Sequence, residues 1–165
     1  MVLILPALFG CGPTSATLAS PDPRVQERAV RSLPAWRARR MVPLLEKWAV
    51  LSRDTRPKLS EAAMVALVRT DLPEALQVVE RQARCAEGRA AVAALGSART
   101  KRSCELLAEL CLLEGPWQGT PEACRPLSSS DLADGWPCYR SLDPYRSQFP
   151  TAEELWQRAS RYSSR

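Results

Sequence analysis

Apolar positions along the chain fall into three regimes. Residues 1–10, MVLILPALFG, are apolar throughout and carry no charge. From residue 22 to about 114, apolar residues recur three and four apart, the period of an amphipathic helix. From Gly115 to Pro150 that period gives way to Pro, Gly, Ser and aromatic residues.

The periodic region predicts six helices. Asp22 followed by Pro23 reads as an N-cap with proline at the first helical position, and Val25, Ala29 and Leu33 line a helix that Pro34 helps to end. Met41, Leu44, Leu45, Trp48 and Leu51 mark a second, with Pro43 in its first turn, since an interior proline would break the hydrogen-bond ladder. Thr55 and Pro57 open a third, carrying Leu59, Ala63, Ala66 and Leu67. In DLPE, Asp71 is a cap with Glu74 three residues on, and Leu76, Val79 and Ala83 line the fourth. A fifth helix over about 87–95 stops at Gly96, a natural C-cap residue. The sixth starts after Ser97, carries Cys104, Leu107, Leu110 and Cys111, and ends at Gly115 and Pro116.

These helices form three pairs with a shared motif. Ala-x-x-x-Leu recurs at Ala29 to Leu33, Ala63 to Leu67 and Ala91 to Leu95, with start-to-start spacings of 34 and 28 residues. A period in that range signals stacked units that cannot bury their apolar faces alone. In VQERAVRSL, SEAAMVALVRTDLPEALQVVERQ and GRAAVAALGSARTKRSCELLAEL the chain resembles HEAT-like repeats, over roughly residues 22–114. The resemblance implies an all-α α-solenoid of about three helix pairs, with a protein-interaction surface and no catalytic machinery. An ordinary antiparallel bundle has alanines and leucines at the same spacing and is the competing architecture.

Residues 115–165 read as an irregular extension and a terminal helix. Trp117, Trp136, Tyr139, Tyr145 and Phe149 give the extension enough apolar mass to wrap against the last helix pair. Thr151 with Glu154 predicts a capping box, followed by a closing helix of about ten residues through Leu155, Trp156 and Ala159.

The apolar run 1–10 is too short to span a bilayer, because ten helical residues cover about 15 Å. It reads as the h-region of a signal peptide. Leu8 to Cys11, LFGC, resembles the bacterial lipobox, which implies that Cys11 becomes lipidated and forms the new N-terminus. No Lys or Arg precedes the run, contrary to the usual signal-peptide pattern, and a misplaced start codon would account for that. The other reading is a short apolar strand or helix tucked into the core. After Cys11, residues 11–21 are small, polar and proline-containing, the composition of a tether. Several acyl chains would hold the protein at a membrane, placing the body at the bacterial cell envelope.

An envelope address predicts oxidised cysteines. Cys104 and Cys111 are seven apart on one helix, about 10.5 Å along its axis, beyond the roughly 7 Å Cα limit for a disulfide. Cys124 and Cys138 are the first candidate pair, closing a loop of about 15 residues worth about 3 kcal/mol. A second bridge would join Cys85 to Cys104 or Cys111, leaving one buried free thiol. Five reduced cysteines in a cytoplasmic protein are the alternative.

The chain contains no histidine, which removes Ser-His-Asp and Cys-His catalysis and every His-containing zinc site. No CxxC pair and no spaced carboxylate pair appears, so no catalytic residue, metal or cofactor is assigned. The net charge of +5 comes from 23 Lys and Arg against 18 Asp and Glu, with Lys47, Lys58 and Lys101 the only lysines. The densest basic stretch is WRARR, Trp36 to Arg40, making Arg37, Arg39 and Arg40 the candidate anion contacts. Three arginines within four residues do not point one way on a helix, so a solvated edge is the plainer reading. The function expected is therefore protein binding by a non-enzymatic envelope lipoprotein. Its rival is a cytoplasmic HEAT-like module that binds nucleic acid or a regulatory protein; for the exported chain, nucleic acid is not the expected partner.

Overall fold

The computed structural model describes residues 15–128 and 138–163. Cys11, the apolar run before it and Trp136 lie outside the described residues. Those described form α1 (Ser15–Leu18), α2 (Pro23–Arg31), α3 (Ala35–Arg39), α4 (Val42–Leu51), α5 (Pro57–Thr70), α6 (Pro73–Ala83), α7 (Arg89–Ala98), α8 (Lys101–Leu112), α9 (Pro121–Ser128) and α10 (Pro150–Ser163). A 3-10 segment, Cys138–Tyr145, precedes α10. The fold is an all-α solenoid, with no strand among the described residues.

Helix starts follow local sequence. The Asp22 carboxylate accepts from the Arg24 backbone N–H at 2.8 Å, and Pro23 follows as the first residue of α2. Pro43, Pro57 and Pro73 lie in the first turns of α4, α5 and α6, where a missing N–H leaves no bond unmade. Thr100 caps α8 by accepting from the Ser103 N–H at 3.2 Å. Asp71 departs from its predicted role as the α6 cap. It sits at φ 53°, in the left-handed region, and terminates α5 instead. The turn is too short to serve both helices, and the Leu72 N–H donates to Thr70 Oγ1 at 3.3 Å.

The central element is α5, against which α2, α3, α4, α6 and α7 all pack. Ala62, Ala63 and Ala66 let its neighbours approach closely, while Leu59, Met64, Leu67 and Val68 fill the space between, all of them buried. Each such large side chain contributes about 1.5–3 kcal/mol by leaving water. The three copies of Ala-x-x-x-Leu behave alike: Ala29, Leu33, Ala63, Leu67, Ala91 and Leu95 are all buried. Helices α2, α5 and α7, which carry these residues except Leu33 just past the end of α2, stack in one row, and α9 extends it by packing on α7.

Several expectations are corrected. Val25 is exposed, because the buried face of α2 is rotated by one residue to Gln26, Ala29 and Val30. Gln26 has its polar needs met: its Nε2 donates to the Leu18 carbonyl at 2.8 Å and its Oε1 accepts from Arg56 Nη1 at 3.1 Å. Residues 15–18 of the predicted tether are a helical turn docked on α2, with Leu18 buried. Gly96 does not end α7, which runs on to Ala98 and closes at Arg99, φ 52°. A glycine is needed there for a different reason, since a Cβ would stand 2.8 Å from Pro126 Cγ on α9. The segment expected to be irregular contains α9, opened by Pro121. Finally, α10 starts at Pro150, which puts Thr151 inside the helix instead of at a capping box.

The predicted Cys124–Cys138 bridge does not form. Cys104 pairs with Cys138 and Cys111 with Cys124, each with Cα atoms 5.1 Å apart. The reason is the geometry of α8: two cysteines seven apart share one helix face, and that face meets both α9 and the 3-10 segment. Both partners are bridged to α8, which leaves neither for the other. Cys85 is unbridged and exposed, against the expectation of a bridge and a buried leftover thiol.

Candidate functional site

The C-terminal end of the stack is closed. Tyr139 meets Trp156 edge to face at 5.8 Å, and the Arg146 guanidinium lies 3.7 Å from the Trp156 ring centroid. Arg146 also donates to Glu153 at 2.9 Å, and Gln157 Nε2 donates to the same carboxylate at 2.8 Å. These two donors, Arg146 first, hold the Glu153 carboxyl below the ordinary carboxylate range. Along α6 and α8 the charges interleave: Arg84 bridges Glu80 and Glu109 at 2.7 and 3.0 Å, while Arg102 lies between Glu80 and Glu105.

Among the described residues the N-terminal end is open, and it holds the sequence-predicted arginines. They do not converge. Arg39 Nε donates to the Thr70 carbonyl at 3.0 Å, fastening α3 to the end of α5. Arg40 stacks 5.8 Å from the Trp36 ring centroid on the outer side of α3. Only Arg37 turns toward a recess, a groove of about 390 Å³ lined by Leu18, Ala19, Gln26, Met41, Leu44 and Trp48 with it. Leu44, Trp48 and Leu51 recur four and three apart, and so form one stripe along α4; Leu51 is 69% exposed and Trp36, nearby on α3, 61%.

A second recess lies between α2 and α5, with a volume of about 610 Å³. Arg24, Arg28, Arg31, Arg56 and Lys58 line it, with Glu27 the one carboxylate among the described lining residues. Arg31 is committed to Glu27 at 3.0 Å and Glu61 at 3.2 Å, and the Glu27 hydrogen bond chiefly holds its pKa above the ordinary value. Sequence reading missed this cluster because its members come from two helices some thirty residues apart, and only their packing joins them.

Among the described residues no group of three His, Cys, Asp or Glu side chains is placed to hold a metal. No helix among them is long and apolar enough to cross a membrane.

These features define a helical-repeat protein whose described residues close one end of the stack and leave the other open. A family model of HEAT repeats matches residues 13–89, the open half with α1 to α6. HEAT-like repeats are therefore present over that stretch, as the alanine and leucine pattern implied. No curated protein and no solved structure matches the chain.

Proposed function

We propose that the protein is a non-enzymatic lipoprotein of the bacterial cell envelope, anchored through Cys11, whose open end binds a partner protein. The observation that carries the binding role is the apolar groove of α1, α3 and α4, at an end of a HEAT-like stack that no element among the described residues caps. Solenoid ends normally need a polar cap, and here Leu44, Val50 and Leu51 are exposed instead. The occupant that fits is an amphipathic helix of the partner, with apolar anchors against Leu44 and Trp48 and an acidic residue set to meet Arg37. The envelope address is supported by the LFGC motif and by two disulfides, which persist in oxidising compartments.

Two measurements test this reading. The intact mass of the N-terminal peptide from bacterial expression is expected to show Cys11 carrying acyl groups. An unmodified Met1 with free thiols would move the cytoplasmic module, with its salt-sensitive binding to nucleic acid or a regulatory protein, into first place. A photo-crosslinker at Leu44 is expected to give a single adduct that Arg37→Glu abolishes. The same adduct from a crosslinker at Leu113, on the far end of α8, would sink the groove.

A further inference from the structure

The cleft between α2 and α5 carries a charge imbalance. Five cations line it with Glu27, and Glu61 reaches Arg31 from α5. Arg31 is held by two carboxylates and Arg56 by the neutral Gln26 side chain. The side chains of Arg24, Arg28 and Lys58 are exposed and have neither an ion pair nor a hydrogen bond among the described residues. Along α6 and α8, by contrast, Arg84 and Arg102 alternate with Glu80, Glu105 and Glu109. Like charges left uncompensated around a concave surface focus a positive potential into it.

The local backbone adds to that potential. Gln26 bonds Arg56, and Arg31 bonds Glu61, five residues further along both helices, so α2 and α5 run parallel. Their first turns, at Pro23 and at Pro57, both open into the cleft, and helix N-termini carry partial positive charge. Asp22 already occupies the Arg24 N–H at 2.8 Å, so recognition at α2 falls to the side chains.

We propose that this cleft binds phosphate oxyanions, presented by anionic phospholipid headgroups. Guanidinium forks pair with phosphate oxygens through two parallel hydrogen bonds, a fit that a lone ammonium lacks. The volume of about 610 Å³ admits a headgroup. Pro23, at its mouth, opens α2 shortly after Cys11, with only the docked turn α1 between them among the described residues, so an anchored chain holds the cleft near the membrane face. The lipid source rests on the envelope placement proposed above, whereas the phosphate chemistry stands on the cleft alone.

The test uses the full chain with Cys11→Ser, so that no acyl anchor contributes. Binding is measured to vesicles of phosphatidylcholine, alone or mixed equally with phosphatidylglycerol, and to glycerol phosphate and polyglutamate in solution. Binding to the anionic vesicles and not to the neutral ones is expected. Arg24→Gln/Arg28→Gln/Lys58→Gln is expected to weaken it about a hundredfold, each basic residue near an anionic surface contributing comparably. The melting midpoint should stay in place, since all three side chains are exposed. Glycerol phosphate binding lost in the same variant assigns the phosphate to a soluble source, and vesicle binding alone assigns it to lipid. Equal vesicle affinity in variant and parent, or tighter binding of polyglutamate than of either phosphate probe, overturns the proposal. The N-terminal mass separates the two readings: acylated Cys11 with no phosphate binding removes the cleft only, and phosphate binding with an intact Met1 removes only the lipid source.

Discussion

The two ends of the stack solve the same problem in opposite ways. Each repeat buries its apolar face only by having a neighbour, so a terminal helix must be covered or left bare. At the C-terminal end α8 is covered twice over, by α9 and by the 3-10 segment, with a disulfide to each. At the N-terminal end α4 keeps Leu44, Val50 and Leu51 in solvent, and the adjoining cleft keeps Arg24, Arg28 and Lys58 uncompensated. One end uses covalent bonds to hold a small irregular cap in place, and the other retains apolar and charged surface that stability alone does not require. The difference separates what folds the chain from what it can offer a partner.

The contrast can be broken first at the sealed end. Replacing Cys104 and Cys138 by Ala removes a bridge across a sequence separation of 34 and is expected to cost about 4 kcal/mol by loop-closure entropy. Urea unfolding with and without the substitutions reads that loss. Next comes the shared centre: Leu67→Ala leaves a cavity in α5, where Leu67 has no exposure, and should cost about 3 kcal/mol in the same measurement. Gly96→Ala is sharper in sign than in size. Helix propensity alone predicts a gain of about 1 kcal/mol, yet the Pro126 ring 2.8 Å from the new Cβ should turn it into a loss of about 1–2 kcal/mol.

Smaller effects sharpen the comparison. Glu153 has a folded pKa depressed below its unfolded value, chiefly by Arg146. Its contribution is therefore present above the ordinary value of 4.5 and lost as pH falls through the depressed one. Glu153→Gln should therefore lower stability slightly at neutral pH, leave it unchanged at low pH, and so flatten the acid limb of a stability–pH curve. At the open end, Leu51→Ser should shift stability by no more than about 0.5 kcal/mol, since a residue 69% exposed buries little.

Much of the stack is legible in the chain. The first turns with Pro23, Pro43, Pro57 and Pro73, and the paired Ala and Leu positions, announce α2 and α4 to α7 because capping and periodicity are local signals. What local signals cannot carry is partner choice. Loop length favoured Cys124 with Cys138, whereas the common face of Cys104 and Cys111 decides both bridges. Pro121 opens α9 as Pro57 opens α5, but the surrounding Gly, Ser and Pro residues mask it. Gly96 looks like a helix stop until Pro126 is known to lie against it. The candidate surfaces were the least legible: WRARR drew attention by density, while Arg24, Arg28 and Lys58 become a cluster only through the parallel packing of α2 and α5.

The nested order of the two bridges also bears on how the chain matures. Cys104 and Cys111 are the first of the four to leave the ribosome, and in an extended chain nothing prevents them from joining each other. Once α8 has formed, its rise keeps them about 10.5 Å apart along the axis. In chain order Cys124 becomes available to Cys111, at a separation of 13, before Cys138 can close the outer loop on Cys104. Helix formation thus acts as a proofreader of thiol chemistry, and an oxidant that outpaces α8 should trap a short-loop isomer that requires an isomerase to rescue.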